Sequence, residues 1–179
     1  MSKFTFYTQN NTEGETKALL EGIQQGYGFI PNLFAYMAEA PTTLQAYLSL
    51  NDLVVKSSFT PAQQQVALLA VSIENSCDFC TVAHRAMGKM NKSNQQTLDA
   101  LHAGAEIEDA NDKALVEYVR KVVKKRGYVE NADIQTFIDA GFTRQQVLEV
   151  VLIVSIKTLS NYINHITHPE PNEELLAMV

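Results

Sequence analysis

The sequence predicts an all-α protein, and three observations support this prediction. Apolar residues recur at spacings of three and four along most of the 179-residue chain. Helix-start signals precede several of these segments, and the apolar–polar alternation typical of strands between hairpin turns is missing. We therefore expect nine helices, near residues 13–25, 32–39, 42–56, 61–74, 76–90, 94–103, 111–126, 131–140 and 144–165.

Several helix ends are encoded by short local signals. In a capping box, a hydroxyl side chain and a glutamine three residues later satisfy free amides at a helix start. The chain has three such pairs: Thr60 with Gln63, Ser93 with Gln96, and Thr143 with Gln146. Pro61 occupies the first helical position, where its missing N–H costs nothing. Gly127 follows the basic end of the seventh helix, where a C-terminal cap is expected.

The last long helix is apolar on nearly every side between Val147 and Ile156. A helix without a polar face is normally buried. In a chain of this size a neighbouring subunit can supply part of that burial, so we expect a homo-oligomer.

Composition excludes several functions. The net charge is −6, which disfavours nucleic acid as a partner. The apolar share of 46% suffices for one folded core, so we expect a single domain over residues 1–179. The N-terminus has no apolar signal segment, and the longest apolar stretch contains Glu149 and stops at Lys157. These features predict a cytoplasmic protein that does not bind a membrane.

The chemistry of the chain centres on its only two cysteines. Cys77, Cys80 and His84 are spaced by three and then four residues, so a helix would place them on one face. With Ser76 as the cap, Cys77 would lie in the first turn, where the helix dipole stabilises a thiolate. His84 could accept the proton of Cys80 or stabilise the resulting anion. The pattern indicates a redox-active dithiol.

Two other interpretations of the cysteines are open. Free cysteines are among the most buried residues, so both could be ordinary core residues. Alternatively Cys77, Cys80, His84 and His165 could ligate zinc, although structural zinc usually draws its ligands from two separate loops. We expect no metal and no cofactor. A thioredoxin-type fold would need strands around the motif, and the preceding segment is predicted as helix.

The motif and its flanks resemble a known family. Cys77-x-x-Cys80-x-x-x-His84, preceded by Leu68 to Ser72, is similar to the carboxymuconolactone decarboxylase superfamily, in its alkylhydroperoxidase D-like, peroxidase-related branch. The upstream segment from Gly28 to Leu33 and the downstream segment from Lys157 to His165 also resemble that branch.

The resemblance implies an alkylhydroperoxidase D-like helical fold with the CxxC motif at the N-terminal part of a central helix. It implies a family core at about 42–126, an N-terminal extension over 1–41 and closing helices over 131–165. It further implies assembly into dimers, trimers or hexamers, and a dithiol that reduces a peroxide and is restored by a cellular dithiol. Decarboxylation is not implied, because the decarboxylase members lack the cysteine pair.

Two positions depart from the family pattern. Gln65 stands where the pattern has a glutamate, and Phe79 stands where it has a histidine between the cysteines. A glutamine can hydrogen-bond but cannot take a proton. Glu74 is therefore a candidate substitute carboxylate, and His165 could complete a proton relay with Asn164. Glu74 also fits an ordinary surface position, and His165 also fits an ordinary core or helix-end position.

The leading hypothesis is an antioxidant peroxidase in which Cys80, assisted by His84, attacks the peroxide and Cys77 resolves the sulfenic acid as a disulfide. The opposite order, with Cys77 attacking, follows from the helix-terminus argument. The alternatives are a disulfide reductase or redox adaptor that uses the same dithiol, and a non-enzymatic metal-binding or structural oligomer.

Overall fold

The structure is a computed structural model that describes residues 4–179. Its described part contains ten helices and no strand, which confirms the all-α prediction. In chain order these are α1 Gly14–Tyr27, α2 Asn32–Met37, α3 Pro41–Val55, α4 Pro61–Glu74, α5 Asp78–Met90, α6 Gln95–Ala103, α7 Ala110–Lys124, α8 Asn131–Asp139, α9 Arg144–Thr167 and α10 Glu173–Leu176. All nine expected helices are present with ends displaced by a few residues, and α10 was not predicted.

Two of the three predicted capping boxes are present at helix starts. The predicted capping boxes at Thr60 and Thr143 both form. The third is wrong, because Asn94 rather than Ser93 caps α6, with its side chain accepting from the Gln96 amide at 3.0 Å. Ser93 instead ends α5 by donating its backbone N–H to the Gly88 carbonyl at 2.9 Å. Because the connection between α5 and α6 is short, Ser93 belongs to the end of α5 and the next residue caps α6.

Helix α4 occupies the centre of the fold. Every residue from 64 to 72 is buried, and α4 packs against α5, α6, α7 and α9. Ala67 and Ala70 are fully buried, and their small side chains leave room for the neighbouring helices. The buried apolar residues form one cluster that extends from Leu20 in α1 to Leu175 in α10.

Helix α9 is only partly buried, contrary to the expectation for an all-round apolar helix. One face packs against α3, α4 and α7 and includes Ile153 and Ile156. The opposite face exposes apolar side chains, namely Leu148, Val151, Tyr162 and Ile166. Over residues 4–179, α9 alone is long and apolar enough to cross a membrane. The same composition is usual for a core helix, and α9 carries the buried polar residues Lys157, Asn161 and Asn164.

The segment before α10 is bound to the start of α2. Asn172 accepts the backbone N–H of Asn32 at 2.8 Å and donates to the carbonyl of Ile30 at 3.3 Å. These bonds fix the segment before α10 against the start of α2. Helix α10 then packs against α5, with Leu175 buried. The C-terminal segment therefore covers one side of the helix that follows the cysteine motif.

Candidate active site

The turn between α4 and α5 positions the cysteines. Ser76 has a positive φ of 56°, and the backbone N–H of Cys77 donates to the Ser72 carbonyl at 2.9 Å. This is the Schellman arrangement that ends a helix. Cys77 then serves as the N-cap of α5, and Cys80 lies in its first turn. The expectation that Ser76 caps the helix is therefore wrong, because Ser76 is needed in the left-handed conformation that ends α4.

The two sulfurs lie inside the protein. Cys77 is 2% exposed, Cys80 is 1% exposed, and both are free thiols. Asn164 of α9 bridges them, since its Nδ2 donates to Cys80 Sγ at 3.2 Å and to Cys77 Sγ at 3.5 Å. The dithiol is thus held between the start of α5 and the C-terminal half of α9.

Lys157 of α9 is the most unusual group in the site. Its side chain is 1% exposed, and its Nζ lies 2.9 Å from His84 Nε2. The ammonium group also lies within hydrogen-bonding reach of Cys80. Among the ion pairs of the described residues, none gives Lys157 a carboxylate partner. A buried ammonium is costly unless an anion compensates it, and the Cys80 sulfur is the group placed to supply that anion.

The hydrogen bonds of His84 define its protonation state. An ammonium group can only donate, so Nε2 must accept from Lys157 and the proton of the neutral ring must be on Nδ1. Nδ1 then donates to Gln65 Oε1 at 2.9 Å. Burial and the nearby Lys157 charge lower the His84 pKa well below 6.5. At neutral pH the ring is therefore a neutral link between Gln65 and Lys157.

The thiols acquire opposite acidities from these surroundings. A hydrogen bond from Cys77, followed by the charge and hydrogen bond of Lys157, lowers the Cys80 pKa to about 5 against the opposing effect of burial. The nearby Asn161 amide acts in the same direction. The Cys77 pKa is raised, because its thiol donates to Cys80 and because it is buried. The pair thus carries one negative charge, which resides on Cys80.

Cys80 faces an apolar cavity. The cavity has a volume of about 270 Å³, and its polar lining residues include Cys80, His84 and Lys157. Its walls come from α1, the segment before α2, α2 itself, α3, α5 and the C-terminal segment. The apolar and aromatic wall residues include Tyr27, Phe29, Phe34, Tyr47, Phe79, Met87 and Leu175. Burial raises the pKa of Tyr47 well above 10.0, so its phenol stays protonated beside the reactive sulfur. The cavity suits a small, largely apolar molecule.

Cys77 faces a different opening. An open polar cleft of about 520 Å³ lies over it, lined by Ser76, Asp78, Phe79, Asn164, His165 and the segment 168–171. Phe79 lines both this cleft and the apolar cavity. The two sulfurs therefore face different openings, with the Phe79 ring as part of the wall between them.

The other expected relay residues lie apart from this network. Glu74 forms ion pairs with Arg120 at 2.9 Å and Lys124 at 3.3 Å, both on α7. In this structure the Glu74 carboxylate is therefore paired with α7 rather than with His84. His165 is exposed, on the rim of the Cys77 cleft, with its ring 6.2 Å from that of Tyr162. It lies beside the dithiol but outside the Gln65–His84–Lys157 chain.

Sequence reasoning missed Lys157 and Asn161 as site residues. A signal for Lys157 is visible in the sequence, because a lysine directly follows the mostly apolar stretch from Val147 to Ile156 on a helix predicted to be buried. Such a lysine needs an anionic partner. Asn161 and Asn164 follow at four and seven residues and so share its helix face.

Comparison with known proteins agrees with this fold. Residues 41–125, from the start of α3 to the end of α7, match the Carboxymuconolactone decarboxylase family. No curated protein matches the chain. The family match covers slightly less than half of the chain and supports the carboxymuconolactone decarboxylase superfamily that was predicted from the cysteine motif.

Three solved structures share the fold over nearly the whole chain. One is the alkylhydroperoxidase core of a peroxidase-related protein from Ralstonia eutropha JMP134, at 22% identity over 99% of this chain and 97% of that chain, with a TM-score of 0.85. A second is a peroxidase-related protein from Silicibacter sp. TM1040, at 21% identity over 97% and 95%, with a TM-score of 0.79. The third is a debrominase, carrying a cysteine-to-alanine substitution, in complex with 2,3,4-tribromopyrrole, at 13% identity over 99% and 96%, with a TM-score of 0.79. At these identities the likeness shows the alkylhydroperoxidase D-like fold alone.

Proposed function

We propose that the protein is a dithiol peroxidase that reduces an organic hydroperoxide. The observation that carries this proposal is the buried Lys157 ammonium, which has Cys80 as its available anionic partner and lies at the base of an apolar cavity. A thiolate is the reactive form of cysteine, and a positive neighbour maintains it at neutral pH. Peroxide reduction uses this arrangement directly, because the attacking thiolate, a proton donor and a resolving thiol are adjacent.

The reaction balances with the residues of the site. The Cys80 thiolate attacks the terminal oxygen of the hydroperoxide, the O–O bond breaks, and the leaving alkoxide takes a proton from Lys157. Cys80 is then a sulfenic acid. The Cys77 thiol attacks the Cys80 sulfur, the oxygen leaves as water with the Cys77 proton, and a Cys77–Cys80 disulfide forms. A dithiol reductant restores both thiols.

In this mechanism His84 acts on Lys157 rather than directly on Cys80. Its Nε2 lone pair is already occupied by Lys157, so it is not free to accept the Cys80 proton. It orients the ammonium group, and after the alkoxide has left as the alcohol, Lys157 regains its proton from water in the cavity. Gln65 fixes the ring by accepting from Nδ1.

The test is peroxide consumption by the purified protein with dithiothreitol as reductant. We expect consumption of cumene hydroperoxide to exceed that of hydrogen peroxide, because the cavity wall is apolar. The control is the Cys77→Ser/Cys80→Ser double variant, which keeps the fold and lacks both thiols. Consumption no faster than this control would contradict the proposal.

A second candidate is reductive dehalogenation of a small halogenated aromatic. It is favoured by the aromatic cavity wall and by the structural likeness to a debrominase bound to tribromopyrrole. The Cys80 thiolate would take the halogen from the ring, a proton would replace it on carbon, and Cys77 would displace halide to form the disulfide. Bromide release from 2,3,4-tribromopyrrole, measured against the double variant, separates this candidate from peroxide reduction.

The remaining alternatives have less support. A redox adaptor must present its attacking thiolate to a protein disulfide, whereas the Cys80 sulfur is buried at the apolar cavity and only Cys77 borders the open cleft. A zinc site needs several ligands together, and within residues 4–179 no three His, Cys, Asp or Glu side chains are arranged to hold a metal ion. Reduction of a protein disulfide without peroxide consumption, or about one zinc per purified chain, would favour these alternatives.

Self-association and a cytoplasmic location stay predictions. The exposed apolar face of α9 supports association of two or more copies, because Leu148 and Val151 would otherwise remain in contact with water. The measurement is the molar mass in solution by light scattering. A Leu148→Lys/Val151→Lys variant should have a smaller mass than the wild type, and a monomeric wild type would contradict the homo-oligomer.

A further inference from the structure

The two openings of the site suggest that its two reaction partners approach from different sides. Cys80 lines the apolar cavity and Cys77 lines the polar cleft, and neither opening is lined by the other cysteine. Phe79, which is 5% exposed, lines both. A molecule in the cavity therefore meets the Cys80 sulfur, and a molecule in the cleft meets the Cys77 sulfur.

The chemistry of the Cys77–Cys80 disulfide also favours approach of the reductant to Cys77. When a thiolate reduces a disulfide, it attacks one sulfur and expels the other, and the sulfur with the lower thiol pKa leaves faster. Lys157 stabilises Cys80 as the leaving thiolate. Attack on Cys77 is therefore the favoured direction, and Cys77 is the sulfur on the open cleft.

We propose that the cleft formed by residues 76–79, Asn164, His165 and residues 168–171 binds the dithiol reductant, which attacks Cys77 while the oxidising substrate uses the apolar cavity at Cys80. This inference deepens the proposed function and rests on it only in taking the dithiol as the redox centre.

A dithiol reduces the Cys77–Cys80 disulfide by two successive thiol–disulfide exchanges. One thiolate of the reductant attacks Cys77 Sγ, the Cys77–Cys80 bond breaks, and its electron pair leaves on Cys80, beside Lys157. The second thiol of the reductant loses its proton to solvent and attacks the sulfur that joins the reductant to Cys77. Cys77 leaves and takes a proton from solvent. The protein gains two electrons, and the reductant becomes an intramolecular disulfide.

Two features of the cleft suit a thiol ligand. Asn164 is 5% exposed, and its Oδ1 is a buried acceptor with no hydrogen-bond partner among the described residues. It is available to accept from an incoming thiol or amide. The His165 imidazole is exposed on the rim and can take the proton of an approaching thiol. Asp78 and Glu170 also line the cleft, so a neutral dithiol should react faster than an anionic thiol such as glutathione.

The test compares one obstruction at each opening. His165→Trp places a large side chain on the cleft rim. Met90→Trp is the matched control, because Met90 is 68% exposed and lines the apolar cavity. Each protein is oxidised with diamide, and the return of free thiols after addition of dithiothreitol is followed by quenched alkylation and mass spectrometry. The oxidative half-reaction is measured separately, as one turnover of pre-reduced protein with cumene hydroperoxide.

We expect His165→Trp to slow disulfide reduction by roughly 10-fold or more, since small misplacements of reacting groups have effects of this size, with little change in the oxidative half-reaction. Met90→Trp should show the opposite pattern. Glu170→Trp provides a second obstruction of the cleft if His165→Trp does not fold. Unchanged disulfide reduction in a folded cleft variant, or equal slowing of both half-reactions by both variants, would overturn the proposal.

Two further measurements identify the source of the dithiol and test the cleft independently of peroxide. A dithiol can be free or carried on a protein, so the same reduction is repeated with a thioredoxin-class protein, and the faster reductant per mole identifies the source. Because diamide generates the disulfide, the reductive measurement does not depend on peroxide. A wild type inert to peroxide but showing the cleft pattern would disprove the peroxidase and leave the reductant site in place.

Discussion

Cys77 and Cys80 are identical side chains three residues apart, yet they occupy contrasting environments. Cys80 lies against a buried cation in an apolar cavity, whereas Cys77 borders an open polar cleft and has no cation. The pKa of one thiol is lowered and that of the other is raised. The largest cause is the hydrogen bond from the Cys77 thiol to Cys80, and α9 favours this direction because it places Lys157 beside Cys80 but only the Asn164 amide beside Cys77. Chemical roles within the dithiol are thus assigned by a distant helix.

Removal of each thiol in turn is the strongest test of this contrast. Cys80→Ser should slow the first turnover with peroxide by roughly 10³-fold or more, because the nucleophile is lost. Cys77→Ser should still react once and then stop with a sulfenic acid on Cys80, since no resolving thiol remains. Dimedone labelling and mass spectrometry identify the oxidised residue. Sulfenic acid on Cys77 in Cys80→Ser would reverse the assignment.

Lys157→Met should remove most of the difference between the two thiols. Methionine has a similar length and no charge, and replacement of a buried charge by an apolar residue is often tolerated. Without the ammonium the Cys80 pKa should rise, and peroxide turnover at pH 7 should fall by about 10- to 100-fold as the thiolate fraction falls. Thiolate absorbance at 240 nm against pH measures the shift directly.

Lys124→Met is the matched control for Lys157→Met. It removes the same charge from an exposed lysine that pairs with Glu74, outside the site. It should leave both the thiolate titration and the turnover unchanged. Equal titration curves for Lys157→Met and wild type would show that another group holds the Cys80 thiolate.

Gln65→Glu tests whether a carboxylate next to His84 speeds the reaction at Cys80. A carboxylate at the position of Gln65 Oε1 would accept from His84 Nδ1 and raise the His84 pKa, so the ring could take up a proton and pass it to Lys157 after each turnover. We expect peroxide turnover near pH 7 to rise by about 10-fold, a modest share of the usual effect of general-base assistance.

Gln63→Glu is the control for charge, because Gln63 lies in the first turn of the same helix as the half-buried partner of the capping box, where a glutamate also fits. It should not alter the rate. A folded Gln65→Glu protein with unchanged or lower turnover would show that Lys157 needs no carboxylate behind His84.

The acidity of Cys80 should also make stability depend on pH. Its pKa is about 5 in the fold against an ordinary 9.0. Between these values the unfolded chain binds a proton that the folded protein does not, so stability rises with pH across this range and the contribution is lost as pH falls to 5. The lowered His84 pKa acts in the same direction below pH 6.5.

We therefore expect the melting temperature of the reduced protein to be lower at pH 5 than at pH 8, by roughly 5 °C. Differential scanning calorimetry of wild type and Cys80→Ser separates the two sources, since Cys80→Ser keeps only the His84 contribution. The same pH dependence in both proteins would mean that Cys80 is not a stabilised thiolate.

Local sequence signals determined the helices and the motif. The capping boxes at Thr60 and Thr143, the apolar periodicity and the CxxC spacing act within a few residues, so the nine helices and the family could be predicted from them. The signals failed where two helices compete for one residue. Ser76 and Ser93 each match the sequence signal for a helix start. In the structure each belongs to the C-terminal cap of the preceding helix.

Only the tertiary structure decided which groups meet at the dithiol. Lys157 lies 77 positions after Cys80 in the chain, and no local pattern specifies that α9 packs against α4 so that this ammonium reaches His84 and Cys80. Glu74, only three positions before Cys77, is directed instead to Arg120 and Lys124 on α7. Proximity in sequence specifies shared helix faces, whereas the pKa of a buried thiol depends on charges brought from distant helices through a low-dielectric core.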